Sequence, residues 1–264
     1  MKPILTFIII FVAVFAARQS VEFRGFTFSG DLDGALAMAR NWRNPYMFVA
    51  DVPYPFTAGL AVLPIAWLPD RIAGSVFSAF SSALLAGVMV ARTGQPWRLM
   101  MFLSMPYWHA LEWAQWSPLV AAAWFAPVLA PLVFTLKPQS TLAVLFSRGV
   151  HIGGLALAIC VLAVSFAVRP TWFGEWISHT GHYSFVLPVL APGGLAMLMC
   201  LARINSARAR LLLGMAFTPQ RGAYDLVTLF LLPTSPLTML MMVIASWAVP
   251  FYVLFLVGAV WCMA

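Results

Sequence analysis

The sequence predicts an all-α protein, a polytopic transmembrane bundle of about eight spans with short re-entrant and interfacial helices between them. Three observations predict it. Of 264 residues, 62% are hydrophobic and only 9% are charged, against roughly 25% charged in a soluble domain. The mean hydropathy is +0.91, and the apolar residues gather in runs approaching the ~20 residues that a helix needs to cross a bilayer. The basic residues behind the net charge of +7 are scattered singly between those runs. That is the distribution of loop charges that set membrane topology, and the absence of a basic stripe excludes nucleic acid as a partner. Cys160, Cys200 and Cys262 sit inside apolar runs without metal-type spacing and read as small packing residues. With no soluble domain, fixed repeat or low-complexity tract, residues 1–264 are expected to form a single transmembrane domain.

The first span covers residues 3–17 and some flanking chain. Lys2, the apolar run and Ala16-Ala17 also fit a secretory signal, but the many spans that follow make one redundant. Residues 18–55 are the most polar stretch, an outer-face loop carrying an interfacial helix. Leu32, Ala35, Leu36, Ala39 and Trp42 fall near helical spacing after Asp31, and Asn44-Pro45 stops that helix. Trp42 and Tyr46 suit headgroup depth. Residues 56–68, broken by Pro64, are too short for an upright span and are expected to be re-entrant or partial. The remaining candidates are Ile72 to Ala91, Leu99 to Leu111, Leu119 to Leu136, Val150 to Val168, Ser184 to Ala202, a broken Leu211 to Leu232, and Leu237 to Cys262.

Orientation follows from the positive-inside rule. Arg92 and Arg98, Lys137 and Arg148, and Arg203, Arg208 and Arg210 mark three cytoplasmic loops if the amino terminus is cytoplasmic and residues 56–68 do not cross. The outer face then collects Arg18 to Asp70, His109 to Ser117, and Arg169 to Tyr183.

Ionisable groups at a membrane are costly and mark functional candidates. The outward set is Asp31, Asp33, Asp51, Glu112, Glu175, His109, His179 and His182, with Gln115 beside them. Asp31, at a helix start, either caps backbone amides or does chemistry; Asp33 in the first turn equally suits the helix dipole. Arg40 and Arg43 share a face and pair with carboxylates, face headgroups or hold a phosphate. The histidines lack metal-ligand spacing, so no metal site is expected. No nucleophile elbow or phosphate loop is present. In 219–225, Asp225 interrupts an apolar segment beside Tyr224; an Arg221–Asp225 ion pair is the default and a substrate-cavity lining the alternative.

The order of motifs carries more than any one of them. "GDLDGALAMARNWRNPY", "YPFTAGLAVLPIAWLP" and "LEWAQWSPLVAAAWFAPVLAPLVFTLKP" together resemble the integral-membrane glycosyltransferases of the C-type fold, in particular glycosyltransferase family 87, the polyprenyl-phosphate-mannose-dependent mannosyltransferases. Asp31, Asn44-Pro45-Tyr46 and Tyr54-Pro55 occupy the places of that family's outer-loop motifs. Ala114-Gln115 is similar to its Gly-Gln and Lys137-Pro138 to its Lys-Pro; "FTPQRGAYDLVTLFLLP" resembles a Pro-Gln followed by Tyr-Asp in relatives. The chain departs from the pattern at Phe56, which replaces a second Pro, at Ala114, and in being shorter.

The resemblance implies inverting transfer of a sugar from a polyprenyl-phosphate carrier to an acceptor hydroxyl on the outer face of a bacterial inner membrane. No separate cofactor is implied. Asp31 would be the general base. Asp33, Arg40, Arg43, Tyr46, Tyr54, Gln115, Tyr224 and Asp225 would line the substrate site, with an arginine holding the departing phosphate. The partners implied are the lipid-linked sugar and membrane lipids. The alternative is a non-catalytic membrane subunit that keeps this scaffold and docks in a larger complex through its hydrophobic spans. A transporter built on the broken 217–224 segment is a weaker third reading.

Overall fold

A computed structural model describes residues 2–23, 31–47, 54–180, 186–191, 194–219 and 222–248. Asp51, His182 and Arg221 therefore lie outside the described residues, as does most of the second half of the Leu237 to Cys262 run. Every regular helix or strand element among the described residues is helical. In order they are α1 (Pro3–Phe23), α2 (Asp31–Arg40), α3 (Phe56–Val62), α4 (Asp70–Thr93), α5 (Met105–Glu112), α6 (Ser117–Phe125), α7 (Ala130–Leu136), α8 (Pro138–Arg148), α9 (Ile152–Val168), α10 (Trp172–Thr180), α11 (Ala207–Phe217) and α12 (Pro236–Ala248), with 3-10 segments between several of them.

Two described helices, α1 and α4, are long and apolar enough to cross a membrane, and α9 with α10 makes a third if that pair, bent by 98°, is one span. Helix length thus carries fewer spans than the eight expected from apolar runs, and the reason is proline. Leu119 to Leu136 splits at Ala126, where Pro127 and Pro131 follow, into α6 and α7. Leu99 to Leu111 splits at Ser104, whose hydroxyl accepts from the Tyr107 amide ahead of Pro106. Proline lacks the N–H that continues a helix and disfavours the helical conformation of the residue before it.

α1 also runs past its expected end at Ala17. Arg18 is 1% exposed, and its guanidinium donates to the Leu111 and Glu112 carbonyls at the end of α5. A cation there satisfies orphan carbonyls and suits the negative helix terminus. Residues 56–68 form the short α3 and a 3-10 turn at Pro64, about 15 Å of helix and half a bilayer's hydrocarbon thickness.

Small residues set the tight crossings. A Cβ on Gly59 of α3 would lie 2.9 Å from Met38 Cβ of α2, one on Gly214 of α11 would lie 2.8 Å from Ala143 Cα of α8, and one on Gly154 of α9 would overlap the Val128 carbonyl. α1 packs along α4, α7 contacts α9, and α5 contacts the 3-10 segment Ala223–Leu231. Two apolar clusters result. The larger one gathers α4, α5, α6, α8, α11 and 223–231; the smaller one joins α2, α3, Tyr46, Tyr54, Trp116, Leu136 and Trp172. The candidate site lies where they meet.

Candidate functional site

α2 starts at Asp31, as its sequence pattern predicts, and buries Leu32, Ala35, Leu36, Met38 and Ala39 against α3 and α4. That docking leaves Asp31 partly buried, where Oδ2 accepts a hydrogen bond from the Tyr54 hydroxyl and another from Gln115 Nε2, each at 2.5 Å. Burial, and next the negative charge of Asp31, push the Tyr54 phenol well above its ordinary value. Tyr54 is therefore the donor in this pair.

Gln115 sits on a strained turn. The amide of Trp113 bonds the His109 carbonyl, and that of Gln115 reaches back to the Ala110 carbonyl at 2.8 Å. This six-to-one closure is the Schellman pattern, which wants a left-handed residue between. That residue is Ala114, at φ +43°, alone among the described non-glycine residues in having positive φ. A glycine would take this conformation freely, whereas an alanine pays about 1 kcal/mol.

The second half of the site comes from a proline. Pro138 occupies the first position of α8, and Lys137 before it is extended at φ −139°, ψ 76°, as the steric clash with a following proline ring requires. The kink between α7 and α8 turns the Lys137 side chain inward, where it is 1% exposed. Its Nζ donates to Asp225 Oδ1 at 2.8 Å and to Gln115 Oε1 at 3.2 Å. It also lies 5.1 Å from the centre of the Tyr224 ring. Asp225, 2% exposed, accepts a further bond from Ser140 at 3.1 Å and sits in the first turn of 223–231, where a carboxylate suits the positive end of the helix.

A continuous polar chain therefore runs Tyr54–Asp31–Gln115–Lys137–Asp225–Ser140. It unites four of the nine site residues expected from sequence, Asp31, Tyr54, Gln115 and Asp225, and the Tyr224 ring lies beside it against Lys137. Tyr46 is adjacent, its hydroxyl donating to the Tyr54 carbonyl at 3.3 Å. Asp33 faces outward and is exposed. Arg40 is at the far end of α2, about 14 Å along the helix from Asp31. There it pairs with Asp70 at 2.6 Å and donates to the Ala66 and Leu68 carbonyls. Arg43 is exposed, stacked 5.3 Å from the Trp42 ring.

Lys137 is the residue that sequence reasoning misplaced. It is not a loop charge grouped with Arg148, because the two lie at opposite ends of α8, about 16 Å apart along the helix. Asp225 correspondingly takes Lys137 as an ion-pair partner, while Arg221 lies outside the described residues. The clue was present: a lysine followed by proline directly after an apolar run.

The segments around Asp31, Gln115 and Arg169 meet, the first two through the Gln115–Asp31 bond. Arg169 donates to the Arg43 carbonyl at 2.5 Å and pairs with Glu175 at 2.7 Å, and the Tyr46 and His179 rings are 5.4 Å apart. Beside the polar chain opens an apolar groove of about 470 Å³ between α3, α7 and α9, lined by Thr57, Leu60, Leu132, Leu136, Cys160 and Val164. Leu136 of the groove lining packs in the same apolar cluster as Tyr54 and Trp116, while no side chain of the polar chain itself lines the groove. Among the described residues no three His, Cys, Asp or Glu side chains are grouped for a metal. No family model matches the sequence, and no curated protein or solved structure matches it.

Proposed function

We propose that the protein is a membrane-embedded glycosyltransferase that moves a sugar from a polyprenyl-phosphate carrier to an acceptor hydroxyl, with inversion. The observation that carries this reading is the convergence of Asp31, Tyr54, Gln115, Lys137 and Asp225, drawn from five separate segments, into one hydrogen-bonded chain beside an apolar groove. In this reading α1, α4 and α9 belong to a C-type arrangement of spans, with α10 outside them and the shorter apolar helices completing it. The carrier's prenyl chain lies in the groove, its phosphate at the groove head toward Lys137, and its sugar toward Asp31.

The chemistry then follows. The acceptor oxygen attacks the anomeric carbon, the bond from that carbon to the phosphate oxygen breaks, and polyprenyl phosphate leaves with the electron pair. Asp31 takes the acceptor's proton. Tyr54 and Gln115 fix the direction of the carboxylate, a positioning role. Lys137 places positive charge where negative charge develops on the leaving phosphate, and Asp225 and Ser140 hold it there. Because Arg40 sits at the opposite end of α2 from Asp31 and Lys137 is linked to Asp31 through Gln115, the phosphate role passes from Arg40 to Lys137.

One observation favours the non-catalytic alternative. Asp31 Oδ2 already accepts two hydrogen bonds, which suits a carboxylate that only ties α2 to the segments around it. Mass spectrometry of lipids copurified with the chain separates the readings. Retained polyprenyl phosphate supports transfer chemistry; bulk phospholipid alone supports the scaffold subunit.

A further inference from the structure

A second polar cavity lies at the opposite end of α8. α4 ends at Arg92-Thr93, and Gly94, at φ +63°, reverses the chain through a left-handed turn closed by its amide on the Val90 carbonyl. The reversal brings Gln95 and Arg98 back beneath α4. Gln95 Oε1 accepts from Arg98 Nε at 2.8 Å, and the Arg98 guanidinium lies 4.6 Å from the Trp97 ring centre. Arg148, at the end of α8, lies 4.9 Å from the Trp124 ring centre. Arg208 comes from the first turn of α11. Together Arg92, Arg98, Arg148 and Arg208, with Gln95 and Trp124, line a cavity of about 470 Å³, and no carboxylate among the described residues lines it.

The arrangement is costly as it stands. Arg98 is 4% exposed, and its Nη1 and the Nε of Arg208 have no hydrogen-bond partner. Burial, and next the charge of Arg208, lower Arg98 to about 10. A buried guanidinium with an idle donor, facing a like charge, is destabilising unless something anionic completes it. Guanidinium forks match the paired oxygens of a phosphoryl group.

We propose that this cavity binds a phosphoryl group, with Arg98 and Arg208 as its inner donors and Arg92 and Arg148 at its rim. The group belongs to an anionic lipid headgroup or to a soluble phosphate compound. The site is separate from the Asp31 chain and stands independently of the transferase reading.

The test uses the full chain in phosphatidylcholine nanodiscs at constant ionic strength, so that general screening is held fixed. One arm adds dioleoylphosphatidylglycerol and reads lipid retention by native mass spectrometry. The other titrates inorganic pyrophosphate and reads the shift in unfolding temperature. Arg98→Gln is expected to weaken binding about tenfold or more. The double variant Arg92→Gln with Arg148→Gln, both exposed residues, is expected to weaken it as well and serves if the buried substitution does not fold. Arg203→Gln, outside the cavity, is expected to bind as wild type. Binding in the lipid arm identifies a headgroup site and binding in the pyrophosphate arm a soluble ligand. Binding of neither probe, or binding unchanged in both the Arg98→Gln protein and the double variant, overturns the proposal.

Discussion

The Lys137 ammonium lies 2.8 Å from the Asp225 carboxylate, and both side chains are at least 98% buried. They come from segments 88 residues apart, so this pair ties the α7–α8 kink to the 223–231 segment. Desolvating two charges is expensive, and removing one partner leaves the other uncompensated. Lys137→Met is therefore expected to destabilise the protein by about 3–5 kcal/mol. The double variant Lys137→Met with Asp225→Leu should recover most of that loss, measured as a double-mutant cycle of denaturant unfolding in detergent.

Ala114 stores strain immediately before Gln115. Ala114→Gly relieves the left-handed alanine and is expected to stabilise by up to about 0.5 kcal/mol, after the entropy of the freer unfolded chain is subtracted. Ala114→Val should destabilise by more than that, because a β-branched residue at positive φ is worse still. Thermal unfolding of the three proteins gives the order directly.

Gly59 lets α2 lie on α3. Its replacement by alanine puts a methyl 2.9 Å from Met38 Cβ and 3.3 Å from the Ala39 amide nitrogen. A cost of about 1–3 kcal/mol is expected, together with displacement of Asp31 from its two donors. The methyl meets Met38 Cβ, which only glycine lacks, so the pair Gly59→Ala with Met38→Gly should show a favourable coupling energy in the same unfolding measurement, and Gly59→Ala with Met38→Ala should show none.

Glu175 supplies a pH test. Burial alone raises its carboxyl, but hydrogen bonds from Arg169 and Thr171, with the Arg169 charge, outweigh burial and hold it below the ordinary value. Because the folded value is depressed, its contribution is present above the unfolded value and is lost as pH falls through the folded one. Unfolding temperature should therefore decline with acidification below about pH 4.5, and Glu175→Gln should flatten that limb. An identical acid limb in both proteins would show that the Arg169–Glu175 pair contributes nothing.

Much of the fold was legible where one residue type dominates locally. The apolar run Ile72 to Ala91 became α4 and α2 starts at Asp31 as expected, but it ends at Arg40 and gives way to turns before the Asn44-Pro45 stop. Span counting fared worse, because hydropathy sees that Leu119 to Leu136 is apolar but does not weigh the prolines that divide it. In the site, the motif order pointed to Asp31, Tyr54, Gln115, Tyr224 and Asp225. Lys137 escaped because a topology rule treats each lysine as a loop charge, and its partners lie 22 and 88 residues away. Arg40 was legible as a cation but not as one engaged with Asp70, since that pairing depends on how the turn after α3 folds back.

The most direct measurement is discharge of a polyprenyl-phosphate mannose donor by the reconstituted chain, comparing wild type with Asp31→Asn and following release of polyprenyl phosphate. Release by wild type with a loss of about a hundredfold or more in the asparagine variant, which keeps the shape but cannot accept the proton, is the expected result. No release by wild type, or equal release by both proteins, would contradict a transferase built on Asp31.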